Sequence, residues 1–168
     1  MQAIRVYLEL TTPKQLRPGK PVPALRVCHL PAPQPEQYRE FYRTVGEAYC
    51  WRDRWHWTDA EIARHLARPE ISVYAAEESD RIVGWYELRR VPDDRSVEIA
   101  YLGLLPQAIG RGLGRALLGS AVDHAWAFGA TRVWLHTCSL DHPHALPNYR
   151  ARGFAAYRTE SYDVDSPT

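Results

Sequence analysis

Val97-Glu-Ile-Ala-Tyr-Leu-Gly-Leu-Leu-Pro106 runs directly into Gln107-Ala-Ile-Gly110-Arg-Gly112-Leu-Gly114-Arg115, and the reading of this junction decides the fold. The first half is a mostly apolar run of strand length, closed by a proline that cannot donate to a ladder. Beyond it, Leu113, Leu117, Leu118, Val122 and Trp126 recur at helical spacing, so Gly110 to Phe128 is predicted as the longest helix. Glycines at every second position between strand and helix leave the backbone N–H groups uncrowded. With the positive end of the helix, those donors form a site for a phosphate or pyrophosphate, and Arg111 and Arg115 add charge. The plainer reading is a tight turn that only packs the helix on the sheet. A dinucleotide fingerprint would need a glycine where Arg115 stands, and a Walker loop needs a Gly-Lys-Ser/Thr ending that the chain lacks.

Outward from the junction, the apolar period marks the remaining elements. Ile71 to Ala76, Arg81 to Val91 and Val97 to Leu105 read as three strands joined by polar turns at Glu77–Asp80 and Pro92–Asp94. Toward the N-terminus, Thr58 and Glu61 form a capping box, followed by Ile62, His65 and Leu66 at helical spacing, and Pro69 ends the segment. Tyr38, Phe41 and Tyr42 suit one face of a short helix over Pro35 to Thr44, and Ala24 to Leu30 is a strand between prolines. After the long helix come a strand over Thr131 to Thr137 and a helix over Asp141 to Arg152, capped by Asp141 or His142. Gly153 ends that helix, and a last strand runs from Phe154 toward Tyr162. The order β-α-α-β-β-β-α-β-α-β describes an α/β (α+β) domain with a mixed sheet over residues 24–168. Residues 1–23 are an N-terminal extension in which Arg5 to Leu10 alternates like an extra edge strand, one that offers itself for pairing across a homodimer.

The 168 residues suit one domain able to bury its own core. Lys plus Arg number 21 against 20 Asp plus Glu, a net charge of +1 that points to neither a nucleic-acid nor an anionic-membrane partner. No apolar run is long enough to span a bilayer, and the first residues are too polar for a signal peptide. Cys28, Cys50 and Cys138, odd in number and far apart, read as free thiols in a reducing cytoplasm.

Two motifs carry a resemblance. Glu98 to Leu118 resembles the acetyl-CoA-binding motif of the GNAT superfamily of N-acetyltransferases. Leu104-Leu-Pro106 matches its Val/Leu-x-Pro element, and Gly110-Arg-Gly-Leu-Gly114 its alternating glycines. Ala145-Leu-Pro-Asn-Tyr149-Arg-Ala-Arg-Gly153-Phe154 is similar to the A-x-x-x-Y-x-x-x-G-F signature of the same superfamily. The likeness runs from Ala24 to about Tyr162, with the element order to match. Ile109 departs from it where members usually carry Gln or Arg, which removes a side-chain donor and keeps the backbone cradle. His142 stands where many members have an Asn that bonds the pantetheine arm, and His can also donate.

The resemblance implies a GNAT-like acyl-CoA N-acyltransferase fold, acetyl-CoA as co-substrate with no metal, and direct acetyl transfer to a primary amine in a ternary complex. It assigns the co-substrate to Leu104, Leu105, Gly110, Arg111, Gly112, Leu113, Gly114, Arg115, His142 and Asn148, with backbone N–H groups near Leu104 and Leu105 facing the thioester and pantetheine. Tyr149 falls on the tyrosine that protonates the leaving sulfur; a core tyrosine is the plainer alternative. Amide formation also needs a proton acceptor. Glu98, a carboxylate on an apolar strand, is the first choice, and is otherwise a solvated sheet residue; Glu87 in Trp85-Tyr-Glu-Leu88 is the competitor. Tyr49 to Trp57 packs four aromatics and two arginines, and places Trp51, Arg54 and Trp55 with Glu87 at the acceptor, a small-molecule or peptide amine. The same loop equally reads as a hydrophobic plug. His136, Cys138, Asp141, His142 and His144 cluster in sequence without metal-ligand spacing, so no zinc site is expected. The alternative function is a catalytically idle module that binds acyl-CoA as a sensor or partner.

Overall fold

The computed structural model describes residues 1–164. The apolar runs pair as expected into a meander of β3 (Ile71–Glu78), β4 (Arg81–Val91) and β5 (Ser96–Leu104). The β3–β4 turn carries Ser79 and Asp80 at φ of 51° and 60°, two consecutive left-handed residues of the kind that suits the twist of a tight hairpin. β2 (Leu25–Leu30) adds to β3 on one side, and β6 (Val133–Cys138), β1 (Gln2–Leu10) and β7 (Ala155–Asp163) follow β5 on the other. Among the described residues the sheet has seven strands in the order β2-β3-β4-β5-β6-β1-β7, with one parallel contact, β5 with β6.

The N-terminal strand departs from expectation. β1 is not an edge: it lies between β6 and β7 and pairs antiparallel with both. Leu8 and Leu10 are buried on the face it shares with Leu135 and Val133, and Ala3 is buried on the opposite face. Alternation in sequence marks a half-buried strand but is the same for edge and interior positions. With both ladders filled within the chain, β1 has no edge to lend to a second copy.

Helices cover both faces. α1 (Pro35–Gly46) and α2 (Asp59–Leu66) set Tyr38, Phe41, Tyr42, Val45 and Ile62 against Val73, Ala75 and Trp85. α2 begins on the expected capping box, Glu61 N–H donating to Thr58 Oγ1 at 3.2 Å and Thr58 N–H to Glu61 Oε2 at 2.7 Å. On the other face α3 (Leu113–Ala127) buries Leu117, Leu118, Ala121, Val122 and Ala125 over Leu88, Ile99 and Leu135. Burial of two such clusters supplies the main driving force. Among the described residues, no helix is long and apolar enough to cross a membrane.

Two helices are shorter than their sequence patterns. α3 starts at Leu113 rather than Gly110, because Gly110 and Gly112 both sit at left-handed φ, 82° and 77°, outside helical geometry. α4 (Ala145–Ala151) starts after His144 rather than at Asp141. The Asp141 carboxylate is instead engaged at the end of β6, accepting from Thr137 Oγ1 at 2.6 Å and Cys138 N–H at 2.8 Å.

Candidate active site

β5 and β6 pair only at Val97–Val133 and Glu98–Trp134, and from there they part. The next residues of β5, Ile99 to Leu104, thus have β4 on one side and an open gap on the other. Leu105 N–H donates to Val83 O at 2.8 Å, back toward β4. Strand peptides alternate, so the N–H and C=O of Leu104 and Leu102 are directed into the gap. Of the two donors expected near the thioester, Leu104 is so directed, whereas Leu105 is committed to the sheet and its side chain packs in the α1–α2 core.

Around this gap opens a cavity of about 1100 Å3, enough for a long ligand. The glycine loop forms one wall. A Cβ built on Gly110 or Gly112 would meet nothing within 4 Å, and one on Gly114 only Leu104 Cδ1 at 3.7 Å. The loop therefore presents bare backbone at the start of a 15-residue helix, a cradle fit for the diphosphate of a CoA-type ligand. Arg115 lines the cavity beside it. Arg111 does not: it is ion-paired with Glu78, and Leu113 is buried in the core. Ile109, 43% exposed, lines the same wall as an apolar group.

The opposite wall comes from the β6–α4 segment. His142, Asn148 and Tyr149 all line the cavity. His142 and His144 precede the helix, with ring centroids 5.2 Å apart rather than diverging on it. Tyr149 is half-buried, its ring edge-on to Phe154 at 6.0 Å. Burial, and then the Asp141 carboxylate, push its phenol pKa well above the ordinary value, so it stays protonated.

The far end of the cavity is walled by the segment after α1. Trp51 lines the cavity while packing on Tyr101 at 4.8 Å and Tyr42 at 5.6 Å. A Cβ on Gly46 would collide with it at 2.6 Å, so this tryptophan both plugs the core and faces the cavity. Trp55 also faces it, with the Arg52 and Arg43 guanidinium groups 4.9 and 5.4 Å from its ring. Asp53 accepts from Tyr101 OH at 3.2 Å on the same wall.

Arg54 and Glu87 lie elsewhere. Glu87 is fully buried under α1 and α2, where Oε2 accepts from Tyr38 OH at 2.6 Å and Arg54 at 2.7 Å, and Oε1 lies 3.0 Å from His65 Nε2. Burial alone would raise its pKa, but the His65 hydrogen bond and the Arg54 charge prevail and hold it at about 2. Neither residue is on the cavity wall. Glu98 is also off the wall: it is 8% exposed, and its Oε2 is 2.7 Å from both Nε and Nη2 of Arg89.

Polar wall residues that the sequence motifs did not assign to the site include Arg5, His136, Cys138 and Tyr162. Arg5 lies over the Tyr162 ring at 4.3 Å and reaches Glu160 at 3.3 Å. Only the insertion of β1 beside β6 brings Arg5 here. His136 is visible in sequence as a histidine on a strand, without a motif.

Residues 33–154 match the model of the acetyltransferase (GNAT) family. An uncharacterized N-acetyltransferase of Mycobacterium bovis is 40% identical over 78 residues, 46% of this chain and 49% of that protein. A mycothiol acetyltransferase of Frankia casuarinae is 30% identical over 186 residues, 98% of this chain and 52% of that protein. The chain thus spans about half the length of these curated relatives. Among solved structures, an aminoglycoside acetyltransferase from an uncultured soil metagenomic sample, in complex with sisomicin, has a TM-score of 0.67. That match covers 86% of this chain and 97% of the other at 14% identity, a likeness of fold. A parted strand pair, a bare glycine cradle and a family match that spans β3 to β6 and both motifs lead to one statement: the chain belongs to the acetyltransferase (GNAT) family.

Proposed function

We propose that the chain transfers an acetyl group from acetyl-CoA to a primary amine by direct attack in a ternary complex. The observation that carries this reading is the continuity of one cavity from the glycine cradle, along the gap beside β5, to Tyr149 and the tryptophan wall. Acetyl-CoA would supply the activated acetyl thioester. The Gly110–Gly114 backbone and Arg115 would hold its phosphates, Leu102 and Leu104 would bond its pantetheine arm, and His142 and Asn148 would flank it. Tyr149, kept protonated by burial, suits a proton donor to the departing sulfur. Glu98, tied to Arg89 and off the wall, acts on the site through its charge.

The acceptor is a small-molecule amine in this reading. The names of the relatives, mycothiol and aminoglycoside acetyltransferases, support that class. So does a wall of Trp51, Trp55 and Tyr101 around Asp53, which favours a compact cationic group. The competing reading, an acyl-CoA-binding module without turnover, has the apolar Ile109 and the diverted Arg111 in its favour. Titration calorimetry with acetyl-CoA, CoA and NADH, followed by thiol release with an amine panel, separates the two. Micromolar binding of the CoA species with release supports the enzyme, binding without release supports the module, and no CoA binding overturns both.

A further inference from the structure

We propose that His136 is the group that takes the proton from the acceptor amine, an assignment that rests on the acetyl-transfer reading. Glu98 pairs with Trp134, and strand side chains alternate. His136 therefore lies on the same face as Glu98 and Trp134, one step further along β6 where β5 has already moved away. Its half-buried ring lines the cavity, as does Tyr149, so a proton acceptor and a proton donor share one wall system around the gap. Glu98 does not reach that wall, and its Oε2 is held by Arg89.

The surroundings favour a neutral imidazole that can still take a charge. From β5 it faces Glu98, from the β6–α4 segment Asp141, from the loop after α1 Asp53, and from β1 Arg5 and the Tyr7 ring, 5.4 Å away. Burial is the largest influence and lowers the pKa from its ordinary value; Arg5 lowers it further, while Glu98, Asp141 and Asp53 oppose the shift. The three carboxylates then stabilise the imidazolium once it forms.

The acceptor ammonium gives one proton to a His136 ring nitrogen. The freed lone pair forms a C–N bond to the acetyl carbonyl carbon, and the C–S bond breaks with its electron pair on sulfur. Sulfur takes the Tyr149 phenol proton, the second proton shed by nitrogen returns to Tyr149 through water, and His136 releases its proton to solvent. Ammonium and thioester become amide, thiol and one proton.

The test uses acetyl-CoA with hydroxylamine, glycinamide, ethanolamine, 1,4-diaminobutane and sisomicin, and reads thiol release. His136→Gln should lower kcat/KM by on the order of 10²-fold or more while calorimetry shows acetyl-CoA affinity unchanged. The loss should be smallest with hydroxylamine, which is already unprotonated at neutral pH, and added imidazole should restore His136→Ala. In the wild type the acid limb of the pH profile should follow His136. Glu98→Gln should move that limb to lower pH and Arg5→Gln to higher pH, opposite shifts that a structural role would not produce. Ring NMR of the unliganded wild type should show His136 neutral at neutral pH. Full turnover in His136→Gln, or a ring already protonated at neutral pH, overturns this assignment and leaves acetyl transfer standing. A wild type that neither binds acetyl-CoA nor releases CoA overturns the acetyl-transfer reading itself.

Discussion

The Arg54 guanidinium meets the Glu87 carboxylate at 2.7 Å beneath α1 and α2, with Glu87 fully buried and the Arg54 side chain 12% exposed. Arg54 belongs to the segment that carries Trp51, Asp53 and Trp55, and Glu87 to the centre of the sheet. This buried ion pair thus fastens the tryptophan-bearing wall of the cavity to β4. Tyr38 and His65 complete the shell, so both carboxylate oxygens are engaged. Buried pairs of this kind contribute little net stability over an apolar pair, but removing one partner strands the other charge.

Glu87→Gln should therefore destabilise the fold by about 3–5 kcal/mol in urea unfolding at neutral pH. The pH dependence carries a definite sign. The folded carboxyl sits near 2, below its unfolded value, so its contribution is complete above the ordinary carboxylate range and disappears as pH falls toward 2. The stability gap between wild type and Glu87→Gln should narrow on acidification through that window. A gap that stays constant from neutral pH to pH of about 2 would show that the carboxylate charge is not what holds the segment.

Gly153 ends α4 at φ of 101°, and a Cβ there would lie 1.9 Å from Gln15 O. The neighbouring peptide is bound too, Arg17 N–H donating to Arg152 O at 2.8 Å. The glycine is thus required both by its backbone conformation and by the chain that crosses it. Gly153→Ala should cost at least about 1–3 kcal/mol, read as a drop in Tm. An unchanged Tm would mean that the 13–17 segment yields without penalty.

Much of the frame is written in local pattern. The Thr58–Glu61 capping box, the period-two runs of β3 to β5 and the strand–glycine–helix junction are each settled by neighbours in sequence, and each forms, the helix of the junction starting three residues later than its pattern. What sequence cannot express is the choice of distant partners. The alternation of β1 is compatible with an edge or an interior strand, because ladder bonds involve backbone that every residue carries. Arg54 and Arg111 read as charges for a ligand, yet each is claimed by a glutamate 33 residues away, Glu87 and Glu78. His136 belongs to no motif, and it gains meaning only because β5 and β6 part beside it.

At Gly112 the expected effects of bulk and charge can be separated. The site is open, with nothing within 4 Å of a built Cβ, but its φ of 77° strains any side chain. Gly112→Ala should then cost about 1 kcal/mol of stability and weaken acetyl-CoA binding modestly. Gly112→Glu sets a carboxylate at the helix N-terminus, where the diphosphate would sit, and should abolish binding in calorimetry. Equal affinities for the two variants would locate the phosphates elsewhere.

Tyr149 offers a sharper division between binding and turnover. Its ring packs on Phe154 and its phenol is held well above the ordinary pKa, first by burial and then by Asp141. Tyr149→Phe keeps the ring packing and removes only the hydroxyl, so acetyl-CoA affinity and Tm should stay near wild type while kcat falls by about 10²-fold. The sign of the pH dependence follows from the raised pKa. A donor that loses its proton only at high pH should sustain wild-type kcat through the alkaline range where an ordinary phenol ionises. Asp141→Asn removes the charge that helps raise that pKa, so it should bring an alkaline fall in kcat to lower pH. A Tyr149→Phe variant with full kcat would leave Tyr149 as a packing residue and direct the search for the proton donor to the other polar groups on the wall.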